Sequence, residues 1–318
     1  MCHPNATHPV IECSQISKVY RTSYTVLRKR GVRALHNLSF SVSRGNIVGL
    51  IGPNGAGKST LLGIAAGLIR PTSGHMRVCG HSPRSIVAKR ELGYMPESPH
   101  FLSLYSASGI LRYHASLRGM GRREAYDEAA ELLGELDLTD VADRPSYAMS
   151  HGMRQRLALG VALVGNPSLL ILDEPSNGLD PVGIVRLRQL LTKLAEDGKT
   201  ILVSSHRLGE LEKLTSQYIF LHRGRRIDIQ HSVLARETIQ LRIGLLRQAS
   251  INAHALSDRF PGCRITDDEL TIRVKCVGEV PPIVRALANE GIAITSVTTA
   301  VDSLEDVFVR VCEEGGDS

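Results

Sequence analysis

The sequence predicts an α/β fold built on a largely parallel sheet, and three stretches predict it. The first is Gly52-Pro53-Asn54-Gly55-Ala56-Gly57-Lys58-Ser59-Thr60, which fits G-x-x-x-x-G-K-[ST] and follows Asn46-Ile47-Val48-Gly49-Leu50-Ile51, a short buried strand by its pattern. Helical patterning continues over 59–66, so the loop has the strand–loop–helix context that a phosphate-binding loop requires. The second is Leu169-Leu170-Ile171-Leu172, closing on Asp173-Glu174; an unbroken apolar run of this length reads as a strand buried on both faces of a parallel sheet. The third, Thr200-Ile201-Leu202-Val203-Ser204-Ser205, is a further strand ending at His206.

Each stretch brings its own chemistry. Glycines let the loop backbone curl around an anion so that successive N–H groups face it. Lys58 adds a point charge for β- and γ-phosphates, and the Ser59 hydroxyl is a Mg²⁺ ligand. Open α/β sheets hold ligands beyond the carboxyl ends of their strands, which places Asp173 to hold Mg²⁺, through water, and Glu174 to act as general base on an attacking water. A histidine at a strand end is often structural; at this edge the His206 imidazole is also placed to bond a γ-phosphate or orient the water. Between the last two strands, Asp180-Pro181 opens a helix that Gly198 closes, with Asp at the N-cap, Pro at the first position and Gly just past the end.

Bulk properties bound the rest. A chain of 318 residues with 42% hydrophobic content has room for two domains and a sizeable core. No run reaches the roughly 18 apolar residues of a membrane span, since residues 157–172 are interrupted by Gly165-Asn166-Pro167-Ser168, and Met1-Cys2-His3-Pro4 lacks the regions of a signal peptide. The six cysteines have no C-x-x-C spacing and read as reduced cytosolic thiols. Cys2, His3, His8 and Cys13 are an alternative metal set to a flexible tail. The formal charge of +6 is modest. Arg21, Arg28, Lys29, Arg30 and Arg33 are expected between two strands, as a solvated loop or a patch for anionic lipid headgroups, and no recognition motif accompanies them to indicate nucleic acid.

Taken in order, these motifs resemble the ATP-binding subunit of an ABC transporter, over roughly residues 10–230. In that resemblance Tyr20 is the aromatic residue that stacks on adenine, with Tyr24 a rival because of an insertion at 22–31. Gly93-Tyr94-Met95-Pro96-Glu97 matches the loop that senses the γ-phosphate and faces the membrane subunit. Ser150-His151-Gly152-Met153-Arg154-Gln155-Arg156 matches the family signature, and Ser176-Asn177-Gly178-Leu179-Asp180 the loop that crosses a dimer interface. Three departures stand out: Glu97 where glutamine is usual, His151 where glycine is usual, and Met153 where glutamine is usual. Ser150 and Gly152 retain the hydroxyl and the N–H that would meet a γ-phosphate, and Glu97 can still approach Mg²⁺.

The resemblance implies an ATP-binding domain over 1–235 with a helical subdomain at about 97–150, bearing a helix over 125–136. ATP and Mg²⁺ would be bound by Gly52, Pro53, Asn54, Gly55, Ala56, Gly57, Lys58, Ser59 and Thr60 with Tyr20, Glu97 and Asp173. Lys58, Glu174 and His206 would serve hydrolysis. Ser150, Gly152 and Asp180 would act from a second cassette, in a head-to-tail homodimer or mixed pair. The partner implied is a separate membrane permease, that of an exporter, which would hold the chain on the inner face of the cell membrane. The other reading is a soluble regulatory cassette ATPase, a class that usually carries two cassettes in tandem, whereas a second phosphate loop is missing here.

The remainder, 236–318, reads as an α+β module without a catalytic constellation. Strands are expected at 238–243, 264–266, 270–276 and 292–300, and helices at 252–259 and 281–290. Apolar Leu270, Ile272, Val274 and Cys276 alternate. This β-α-β-β-α-β order predicts a small ferredoxin-like fold. A last helix opens at Ser303-Leu304-Glu305-Asp306. Packing, dimer contact or regulation is the expected role.

Overall fold

The computed structural model describes residues 9–22, 30–215, 217–227, 239–246, 260, 263–266, 268–274 and 276–301. The chain divides into two compact units, Met1–Ile227 and Asp228–Ser318. The expected boundary at 235/236 falls outside the described residues.

The first unit opens with a long antiparallel hairpin, β1 (Ile11–Thr22) and β2 (Arg30–Val42). β3 (Ile47–Ile51) leads through the glycine-rich loop into α1 (Lys58–Ala65), and β4 (Ser73–Val78) pairs back on β1. Next come α2 (Ile86–Arg90), β5 (Leu92–Met95), and the helices α3 (Ala107–Leu117) and α4 (Arg122–Glu135). After two short 3-10 turns follow α5 (His151–Leu163), β6 (Leu169–Asp173), α6 (Pro181–Glu196) and β7 (Thr200–Ser204). The short α7 (Leu208–Glu212), β8 (Tyr218–His222) and β9 (Arg225–Ile227) complete the unit.

Six strands form one sheet in the order β5-β6-β7-β3-β8-β9, parallel except for β9. Leu169, Leu170, Ile171 and Leu172 are fully buried in it, at about 1.5–3 kcal/mol per large apolar side chain. A three-stranded antiparallel sheet, β2-β1-β4, covers the other side of α1. One core cluster joins Ile11, Leu35 and Leu38 from that hairpin, Leu61, Leu62 and Ile64 from α1, and Leu50, Ile171 and Leu202 from the parallel sheet. The phosphate-loop helix is therefore held on both sides by apolar packing. In the parallel register Leu50 lies opposite Ser204, and Ser204 opposite Asp173, so β3, β6 and β7 end at one edge.

Two expectations need correcting in this unit. Arg21, Arg30 and Arg33 lie within β1 and β2, which run further than the sequence indicates. Near the far end of the hairpin Arg21, Val32 and Arg33 face solvent (Val32 is 60% exposed), so burial imposes no apolar alternation on them; Arg28, Lys29 and Tyr24 lie outside the described residues. Cys13 belongs to no N-terminal metal set: it is buried in β1, its Sγ donates to the Leu38 carbonyl, and burial pushes its pKa up to about 12. Cys2, His3 and His8 lie outside the described residues.

In the second unit β10 (Ile239–Leu245), β11 (Arg264–Ile265), β12 (Glu269–Val274), α8 (Val280–Asn289) and β13 (Ile294–Val301) are described. The sheet order is β11-β12-β10-β13, antiparallel throughout. Leu241, Ile243, Leu270, Ile272, Val274 and Leu287 make its core. Cys276 is exposed rather than part of the alternation, because β12 ends at Val274. The helices expected at 252–259 and from Ser303 lie outside the described residues.

Candidate active site

The loop after β3 takes the shape its glycines permit. Gly55 and Gly57 have φ of 81° and 104°, and a Cβ on Gly57 would lie 2.6 Å from the Ala34 carbonyl, a position closed to other residues by both strain and space. Lys58 opens α1, is 7% exposed, and its ammonium donates to the carbonyls of Gly52 (2.6 Å) and Pro53 (3.4 Å). These bonds hold the cation in the hollow of the loop.

A cavity of about 360 Å³ opens on this hollow, and Asn54, Gly55, Lys58, Ser59, Thr60, Glu97, Asp173 and Glu174 are among its walls. Most of the expected phosphate and metal residues are thus brought together. Gly52 and Ala56 form the base of the loop and face inward: a Cβ on Gly52 would meet the Leu221 carbonyl at 2.5 Å, and Ala56 is buried. Tyr20 is 38% exposed on β1, its hydroxyl 3.4 Å from Thr60 Oγ1, with the Lys18 ammonium 4.9 Å above the ring.

The acidic pair is set by contacts that the sequence pattern does not announce. The Ser204 hydroxyl donates to Asp173 Oδ1 at 2.7 Å and accepts from the Glu174 amide at 2.9 Å. Glu174 has φ of 51°, a left-handed backbone that costs an ordinary residue about 1–2 kcal/mol. Its carbonyl accepts from the Asn177 amide (3.1 Å) and from Gln155 Nε2 (3.1 Å). Its carboxylate, almost wholly buried, accepts from the His206 amide at 3.2 Å and lies 2.8 Å from His206 Nδ1. His206 is thus paired with Glu174 at the end of β7. Burial, reinforced by the charge of Asp173, pushes the nearby Tyr94 hydroxyl up to about 12. The sequence does not single out Ser204 or Gln155 individually; the available signal is a polar residue closing an apolar strand for the first, and membership of the signature stretch for the second.

The remaining expected residues gather elsewhere. Ser150 caps α5 by accepting from the Met153 amide at 3.2 Å, and Asp180 caps α6 by accepting from the Gly183 amide at 2.9 Å. Together with Gly152 they line a different cavity, of about 610 Å³, whose floor includes Leu136, Leu159 and Leu187. Arg156 fixes this face by donating to the carbonyls of Leu136 and Asp137 at the end of α4, both at 3.0 Å. Within one chain, the signature and the phosphate loop do not share a site.

The donor set fits Mg²⁺ and a nucleotide. Ser59, Asp173 and Glu97 offer hard oxygens beside the anion-binding loop. Mg²⁺ takes few protein oxygens and completes its octahedron with phosphates and water. No helix among the described residues is long and apolar enough to cross a membrane.

Comparison with known proteins agrees with this geometry. Residues 35–177 match the ABC transporter family model. An uncharacterised ABC transporter ATP-binding protein of Synechocystis is 31% identical over 96% of this chain and 86% of its own length. The bacitracin transport ATP-binding protein of Bacillus licheniformis is 30% identical over 96% of this chain and 98% of its own length. A solved dimeric ATP-binding cassette in a post-hydrolysis state, bound to ADP and Pi, superposes with a TM-score of 0.63 at 26% identity, over 69% of this chain and 97% of that one. With its phosphate loop, acidic pair and signature in place, the chain belongs to the ABC transporter family as an ATP-binding subunit, the ATPase that energises transport through a separate permease.

Proposed function

We propose that this subunit works in head-to-tail pairs, each ATP held between the phosphate loop of one cassette and Ser150 and Gly152 of the other, and that the pair drives export. The observation that carries this is the separation just described: the signature's hydroxyl cap and the phosphate loop line different cavities of one chain. A second copy brings them together. The dimeric cassette it resembles supports the pairing, and the relative named for bacitracin transport supports a transport role; the outward direction, and a place for this chain on the inner face of the membrane beside its permease, are part of the same proposal.

In this reading the loop amides and Lys58 neutralise the β- and γ-phosphates. Ser59, Asp173 and Glu97 would hold Mg²⁺, which would supply positive charge against the phosphate oxygens. Glu174 takes a proton from the attacking water while that oxygen bonds to the γ-phosphorus; the bond to the β-phosphate oxygen breaks, leaving ADP and phosphate. His206 holds the Glu174 carboxylate, and Tyr20 offers its ring to adenine. Loss of the γ-phosphate contacts releases the pair, so the work done on the permease comes from the difference between ATP and ADP in their affinity for the closed state. The second unit lies outside this chemistry. Its strand order, with the second, third, first and fourth strands side by side, supports the ferredoxin-like reading.

Ser150→Arg tests the pairing. The monomer should bind ATP within a few-fold of wild type, since Ser150 lies outside the phosphate cavity, while hydrolysis stops because the side chain blocks closure. Full ATPase activity in the purified variant would remove the composite site. Export is tested separately, by reconstituting the chain with its permease and following the direction of substrate movement.

A further inference from the structure

The backbone of Glu174 is held from three directions, and one of the holding groups comes from the signature helix. Gln155 lies on α5, beyond Ser150, and is 1% exposed. Its Nε2 donates to the Glu174 carbonyl at 3.1 Å, while Ser204 Oγ accepts from the amide of the same residue. Both bonds act on a residue whose φ of 51° is not its own preference, so surrounding contacts must maintain it. Among the described residues, the buried Gln155 Oε1 has no hydrogen-bond partner. An unpaired buried carbonyl is costly, and an apolar side chain of equal size would avoid that cost. A glutamine here is therefore explained by what its N–H holds.

We infer that Gln155 is a positioning residue, which fixes the backbone of Glu174 and ties it to the signature end of α5. The inference rests on Glu174 as general base and on composite sites. Under that arrangement Ser150 meets the nucleotide of the partner cassette, whereas Glu174 of the same chain acts on its own nucleotide. The bond from Gln155 then links the two sites through one helix. A pull on the signature when the partner's ATP is engaged is passed to the backbone that aims the base. An interaction needed for the chemical step alone changes kcat and leaves ground-state binding untouched.

The test uses the full chain as Gln155→Met, which keeps the volume and loses the donor, alongside Glu174→Gln and the double variant. Turnover is measured by phosphate release, and binding with a fluorescent N-methylanthraniloyl ATP. Gln155→Met should lower kcat at least tenfold and leave the binding constant within twofold. Added to Glu174→Gln, it should lower the residual single-turnover rate by less than twofold, because its effect passes through the missing carboxylate. Wild-type kcat in Gln155→Met, a parallel loss of nucleotide binding, or a fully additive loss in the double variant would each overturn the inference. If Gln155→Met loses its circular dichroism, Gln155→Leu, similar in size and without a donor, is read by the same criteria. Wild-type turnover in Glu174→Gln would instead remove the general-base reading, a result distinct from an inactive Glu174→Gln beside a fully active Gln155→Met.

Discussion

Removing one oxygen atom at Ser204 should disturb both the stability of the first unit and its catalysis. The side chain is completely buried. In Ser204→Ala, Asp173 Oδ1 loses a 2.7 Å donor and the Glu174 amide loses a 2.9 Å acceptor. A hydrogen bond to a charged group contributes about 1.5–3 kcal/mol, and leaving a buried amide unpaired costs about 1–3 kcal/mol. The two losses share one atom and are not additive, so we expect about 2–4 kcal/mol of destabilisation. With no tryptophan in the chain, urea unfolding is best followed by far-ultraviolet circular dichroism, at several wavelengths to separate the transitions of the two units. The midpoint of the first unit should fall while its slope is unchanged. In the same preparation, kcat should drop at least tenfold, since Asp173 and Glu174 both lose an anchor. A shift below about 1 kcal/mol would mean that this hydroxyl does not organise the junction. A full shift with wild-type kcat would refute the step from anchoring to catalysis.

Three further outcomes are expected. Lys58→Ala should abolish tight ATP binding, because the buried ammonium is the main counter-charge in the loop hollow; isothermal titration with MgATP at moderate salt measures it, and unchanged affinity would contradict the site. Tyr20→Ala should weaken ATP binding several-fold and Tyr20→Phe should not, since a stacking ring keeps its function without the hydroxyl; a larger effect from Tyr24→Ala would move the adenine contact. The third concerns pH. Burial lowers the pKa of His114 from 6.5, with Arg118 adding to the effect. A folded pKa below the unfolded one means that its contribution to stability is present above about pH 6.5 and is lost as pH falls towards the folded value. Unfolding free energy should therefore decline across that window in wild type and decline less in His114→Gln, as urea titrations at pH 7.5 and 5.5 would reveal; equal slopes would exclude His114 as a source.

The sequence by itself determined the parts of this protein whose physics is local. The phosphate loop is contiguous, and its glycines, lysine and serine must stand at fixed spacing to wrap an anion, so Gly52 to Thr60 could be read directly. The strands at Leu169 and Thr200 were legible because a strand buried on both faces admits few polar residues, and the helix from Pro181 because its ends are set by neighbouring residues. Tertiary structure decided what depended on distant partners. The full reach of β1 and β2 was hidden because Arg21, Val32 and Arg33 face solvent, where burial selects no pattern. Ser204 and Gln155 stand 30 and 19 positions from the Glu174 groups they hold. Each acts through a single polar atom, which leaves no periodic trace in the chain. The separation of the signature from the phosphate loop is likewise a property of packing: α5 is anchored through Arg156 to the end of α4, and this directs Ser150 into a cavity away from its own chain's phosphate site.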